Sequence, residues 1–150
     1  MFDLAAERDF AHEFRETFQN KGYSLVVAPT VVAELYFLSE HGDAQEKRLS
    51  STSLARSSSW DIKPFALSMV QLEIAKRFAR RLLDQALLPE TELNDARILG
   101  ETSMAAIPLV VTSDKHLLDI DEDSLRQEFD DADLMRVSTV SPRRLLRAIH

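Results

Sequence analysis

The stretch "PLVVTSDKHLLDID", Pro108 to Asp121, decides the fold class. An apolar run, Pro108 to Val111, passes straight into Thr112, Ser113 and Asp114, and a helical pattern begins at Lys115. An unbroken apolar run without alternation reads as a strand of a parallel sheet, buried on both faces. The same order recurs upstream. "YSLVVAP", Tyr23 to Pro29, reads as a buried strand, and "TVVAELYFLSEHG" comes next as a helix with Thr30 as N-cap and Gly42 as its stop. "LMRVSTV", Leu134 to Val140, is a final strand. "SPRRLLRAIH" is the last helix, entered through Ser141 and Pro142.

The remaining segments read mostly as helices. Phe2 to Gly22 is amphipathic, with Leu4, Phe10, Phe14 and Phe18 at broadly helical spacing. Pro64 suits the first turn of a long helix reaching Leu88, with Phe65, Met69, Leu72, Ala75, Ala79, Leu82 and Leu83 as its core stripe. "LPETEL" breaks the chain before "NDARILGETSMAAI", the next helix. "SSTSLARSSSWD", Ser50 to Asp61, reads as a mobile loop anchored by Trp60, because serine and threonine dominate it. Alternating strands and helices imply an α/β fold, a parallel sheet flanked by helices in three layers. The expectation is one domain over residues 1–150.

Composition narrows the function classes. The chain of 150 residues has no cysteine, so disulfides and thiolate metal sites are excluded. A net charge of -7 argues against a wholly basic nucleic-acid binder but leaves room for a local basic face. No apolar run approaches the roughly 20 residues of a membrane span. The start "MFDLAAERDF" has no basic n-region or apolar h-region, so a cytoplasmic protein without membrane contact is expected.

Three acids stand where chemistry is expected. In open parallel sheets ligands bind beyond the carboxyl ends of the strands. Asp114 lies just past one strand, and Glu34 one turn into the helix after another. Asp95 opens the helix that leads to Asp114. Each has a plain alternative. Asp114 can cap a helix, Asp95 can favour a helix N-terminus through the dipole, and Glu34, although in an apolar context, can face solvent. If the three cluster, repulsion of roughly 4 kcal/mol for a pair about 4 Å apart requires a proton or a cation. Oxygen donors suit Mg²⁺ or Mn²⁺, and such ions support phosphodiester hydrolysis.

"APTVVAELYFL", "LNDARILGETS" and "LVVTSDKHLL" together resemble the PIN-domain nucleases, the family that includes the toxins of VapBC toxin–antitoxin pairs. In that likeness Glu34, Asp95 and Asp114 match the second, third and fourth acids of the site, and Thr112 the hydroxyl residue that supports it. The resemblance spans roughly Ser24 to Leu118. It implies a three-layer α/β/α PIN-like fold with a sheet of four or five strands, and ribonuclease action dependent on Mg²⁺ or Mn²⁺. The implied substrate is RNA and the implied partner an antitoxin protein; the Phe residues of the first helix are expected to pack in the core or in a homodimer interface.

The chain also departs from the family. PIN domains open with a strand ending in the first Asp of the site, and no such strand is found here; "MFDLAAERDF" resembles the segment just after that strand. Asp3 and Asp9 are poor substitutes, since both fall on the first helix. Either the reading frame begins upstream of Met1 or the domain is truncated and non-catalytic, a module that binds RNA or protein. The remaining acids favour the former. In both cases this chain is expected to cleave RNA weakly. A third reading is a plain α/β domain whose acids are helix caps.

Charge elsewhere is less specific. Lys76, Arg77, Arg80 and Arg81 share a face of the long helix and form a candidate RNA-backbone strip; pairing with Glu73 or Asp84 is the plain alternative. Arg143, Arg144 and Arg147 form a weaker patch. Asp119 and Asp121 lie close enough to Asp114 in the chain to edge a metal site. His12, His41, His116 and His150 show no metal spacing.

Overall fold

The computed structural model describes residues 1–8 and 10–149; Asp9 and His150, named above, lie outside the described residues. The protein is α/β, with short parallel strands among more extensive helices. Its backbone contacts divide it into two compact units, Met1–Phe65 with Pro142–His150, and Ala66–Ser141. No helix among the described residues is long and apolar enough to cross a membrane.

The first unit contains α1 (Phe2–Ala5), α2 (Ala11–Asn20), β1 (Leu25–Val27), α3 (Pro29–His41), α4 (Ala44–Arg56) and β2 (Ile62–Pro64). β1 and β2 pair in parallel with Leu25 opposite Ile62. Parallel strands need a crossover of a dozen or more residues, and α3 with α4 supply it. The expected helix over Phe2–Gly22 is broken into α1 and α2. Glu7 and Phe10 have left-handed backbones, with φ of 56° and 63°, which a continuous right-handed helix does not allow. Leu4, Ala11, Trp60 and Ile62 form the buried cluster here. Trp60 is therefore the anchor expected of it, and Gln19 donates a side-chain hydrogen bond to its carbonyl.

The serine-rich segment is only partly loop. Residues 50–56 are the last two turns of α4, where Ser50 and Ser53 are fully buried and donate to the carbonyls of Glu46 and Leu49. A serine that bonds back to i−4 hides its hydroxyl within the helix. α4 begins with a capping box in which Asp43 and Glu46 each accept from the other's backbone N–H, both at 2.8 Å.

The second unit contains α5 (Met69–Asp84), α6 (Leu93–Met104), β3 (Leu109–Val111), α7 (Lys115–Leu118), α8 (Glu122–Asp131) and β4 (Ser138–Val140). The last helix, α9 (Pro142–Ile149), belongs to the first unit. Pro64 ends β2 rather than starting α5, because Ser68 and Gln71 form the capping box that starts that helix. Met69, expected in the core stripe, is 82% exposed. The stripe begins instead at Ala75 and runs through Phe78, Ala79, Leu82 and Leu83. Of these, Phe78, Ala79, Leu82 and Leu83 pack with Leu99, Leu117, Leu125 and Phe129 in the larger core. α5 and α6 approach closely at Gly100, where an added Cβ would stand 2.7 Å from the Ala75 carbonyl oxygen.

β3 and β4 pair in parallel with Leu109 opposite Ser138. The described strands thus form two parallel pairs, not the single sheet of four or five strands that the resemblance implied. Each strand is three residues long, so the ladders are short and helix packing carries the burial. The apolar runs are also less buried than a central strand requires, and Val26 of β1 is 43% exposed.

The acid-rich segment from Asp119 to Asp133 is mostly helix. Asp121 caps α8, accepting from the Ser124 amide at 2.9 Å and hydroxyl at 2.7 Å, and these bonds lower its carboxyl below the usual range. At the other end of α8 the Asp130 carboxylate is gripped by both arms of Arg136, each at 2.7 Å, and this lowers its titration too. A depressed folded-state pKa contributes stability above the unfolded value of about 3.9 and loses it as pH falls through the lower folded value. In a carboxyl-carbon NMR titration Asp130 should titrate below the ordinary range, and Arg136→Gln should return it there. The same midpoint in both proteins would contradict this.

Candidate functional site

Asp114 is reached through a short chain of local bonds. β3 ends at Val111, and the Thr112 amide still bonds to the Val140 carbonyl at 2.9 Å, so the exit of the strand is held. Thr112 Oγ1 then accepts from the Asp114 amide at 3.0 Å. Asp114 Oδ1 accepts from the His116 amide at 2.7 Å and caps α7. The plain reading of Asp114 as a helix cap therefore holds, and Thr112 does support it. Asp114 is exposed, and its second carboxylate oxygen has no part in the cap.

Asp95 sits in the first turn of α6 and is half-buried. Glu92, immediately before that helix, lies 3.5 Å from His116 Nε2. Glu92 and Asp95 are three residues apart and share a helix face. The Glu92–His116 contact thus sets the start of α6, the helix that carries Asp95, beside α7, the helix that Asp114 caps. Sequence reasoning missed Glu92; its spacing from Asp95 was the available signal.

Glu34 lies in α3 of the first unit and is half-buried. Its apolar sequence context is not a buried one. Leu35 is buried, but Tyr36 and Phe37 are 59% and 60% exposed. Thr30, expected as the N-cap of this helix, lies inside it; Ala28 occupies the cap and Pro29 the first turn. Among the described residues no group of three or more His, Asp or Glu is arranged to hold a metal ion. Asp121 is committed to Ser124, which argues against its edging a metal site.

The proposed RNA strip on α5 is largely neutralised. Arg80 forks onto Glu90 at 2.8 and 3.1 Å and bonds Asp84 at 3.0 Å, and its pKa is raised by these bonds. Arg81 bonds Glu128 and lies 3.4 Å from Asp131. Arg77 stands 3.6 Å from Glu73. Contact of Arg80 or Arg81 with RNA would have to replace these partners. Lys76 makes no ion pair among the described residues. In the weaker patch, the Arg143 guanidinium lies 5.0 Å above the Phe10 ring.

His41 stacks on Phe37 with ring centres 4.7 Å apart, an aromatic contact rather than a metal arrangement. No family model, no curated protein and no solved structure matches this chain.

Proposed function

We propose that the protein is a metal-dependent ribonuclease of the PIN type, hydrolysing RNA phosphodiester bonds in the manner of a toxin restrained by an antitoxin. The observation that supports this most is the Glu92–His116 contact, which brings the start of the helix carrying Asp95 to the helix that Asp114 caps, with Thr112 Oγ1 accepting from the Asp114 amide. Mg²⁺ is commonly held by one or two carboxylates, with waters and substrate phosphates completing its shell. An oxygen-only pair therefore fits such a cation. Asp95 and Asp114, both in the second unit, would hold it. When bound, Mg²⁺ or Mn²⁺ would supply a hydroxide near neutral pH and offset charge at phosphorus. Thr112 and the α7 cap keep Asp114 at the strand end, which limits the motion of its carboxylate.

A second reading is a PIN-like module that binds RNA or protein without chemistry. It is favoured by the absence, among the described residues, of a three-residue metal group. Incubating an end-labelled structured RNA with the protein in Mn²⁺, Mg²⁺ or EDTA separates the two. The nuclease reading expects cleavage, however slow, that EDTA and Asp114→Asn both abolish. Retention of intact RNA in every condition supports the binding module.

A further inference from the structure

An open cleft of about 490 Å³ lies in the first unit, between the turn after α1 and the outer face of α4. Its polar lining is Glu7, Arg8, Gln45, Arg48, Thr52 and Arg56. Leu49, Ser50 and Ser53 carry the buried face of α4, so Arg48, Thr52 and Arg56 fall on an adjoining face at i, i+4 and i+8. The three arginines are exposed. None has a carboxylate within 4.0 Å among the described residues, whereas Arg80, Arg81 and Arg136 of the same acidic chain all do. Glu7, the one acid of the lining among the described residues, reduces but does not cancel the positive charge of the lining arginines. Its left-handed backbone, φ 56°, is a strained conformation for a non-glycine residue, held at the wall of the cleft.

We propose that this cleft binds the sugar–phosphate backbone of a single-stranded nucleic acid. Guanidinium groups match phosphate oxygens bidentately, and hydroxyl and amide side chains such as Thr52 and Gln45 commonly join them on backbone oxygens. Arg48 and Arg56 are eight residues apart, about 12 Å along the helix axis. They therefore meet different phosphates, and a strand fits better than a single small anion. The proposal stands apart from the metal reading, because it rests on other residues and needs no cation.

The test is fluorescence anisotropy with a labelled 12-nucleotide oligouridine, in EDTA so that metal chemistry cannot run. Three phosphate contacts on a single strand predict a log–log salt slope of about −2, a loss of affinity of about 20-fold between 50 and 200 mM salt. Arg48→Gln/Arg56→Gln should weaken binding at least about tenfold and bring the slope to about −0.7. Lys21→Gln/Lys63→Gln, which removes the same charge at exposed positions outside the lining, should leave both nearly unchanged. Far-UV circular dichroism checks the fold. If the double variant does not fold, each single variant should still lower the slope by about 0.7. The proposal is overturned by no binding of the oligomer at 50 mM salt, or by wild-type binding in the Arg48/Arg56 variants. Equal displacement by inorganic phosphate assigns the cleft to single phosphates, and displacement by an oligoglutamate of equal charge assigns it to an acidic peptide; either also overturns it.

Discussion

Phe129→Ala should lower the unfolding free energy of the protein by about 3–5 kcal/mol, the range for deleting a fully buried aromatic ring. Phe129 is 0% exposed and stacks on Phe78 with ring centres 4.6 Å apart. It belongs to the core in which α5, α6, α7 and α8 meet. Truncation removes the transfer energy of the ring, leaves a cavity among neighbours that are themselves packed, and abolishes an aromatic pair worth about 1 kcal/mol beyond its area. Urea unfolding followed by circular dichroism measures the loss. A change below about 1 kcal/mol would show that this core does not hold the second unit together. The effect on function should come from folding alone, since Phe129 is fully buried in the core.

Asp95→Asn with Asp114→Asn should weaken Mn²⁺ binding about 100-fold or more. Loss of an outer-shell partner of a metal ligand already costs roughly 10–100-fold in affinity, and two ligands should cost no less. Asparagine keeps the size of each side chain and, at Asp114, the oxygen that accepts from the His116 amide. The helix cap therefore survives while the charge is removed. Isothermal titration with Mn²⁺ reads the difference, and unfolding curves of the variant check the cap. Equal Mn²⁺ affinity in the parent and the double variant removes these acids from any metal site.

The order of elements was legible in the sequence wherever an apolar run met a helix start. β1, β3 and β4 lie inside the expected strands, and α6 and α9 lie where their patterns put them. One helix, α4, was missed and the start of another, α5, was misplaced, although their signals are local. Asp43 with Glu46, and Ser68 with Gln71, are capping boxes in the sequence. The serine content of residues 50–56 and the presence of Pro64 masked them. β2 was missed because only Ile62 of its three residues is buried, too short a pattern to show a period. The break at Glu7 left no sequence signal of the usual kind, since neither glycine nor proline occurs there.

The candidate site was legible in part. The places of Asp114 at a strand exit and of Thr112 beside it are set by position in the chain. The proximity of Glu92 to His116, which brings the start of α6 to α7, is a tertiary contact that no local pattern encodes. The pairing of Arg81 with Glu128, 47 residues away, is of the same kind, and it commits one arginine of the candidate RNA strip to an ion pair. The arginines of the cleft were overlooked for the opposite reason. Arg48 and Arg56 lie in a helix that was not foreseen, so their shared face was not visible.

The nuclease reading stands on Asp95 and Asp114 binding a divalent cation together. Substoichiometric Mn²⁺ added to ¹⁵N-labelled protein probes that binding at the residues themselves, because the paramagnetic ion broadens the amides nearest to it. The first signals lost should be those around Asp95 and Asp114, and Asp114→Asn should restore them. Broadening confined to the acidic segment from Asp119 to Asp123, with Asp95 and Asp114 unaffected, would contradict the assignment.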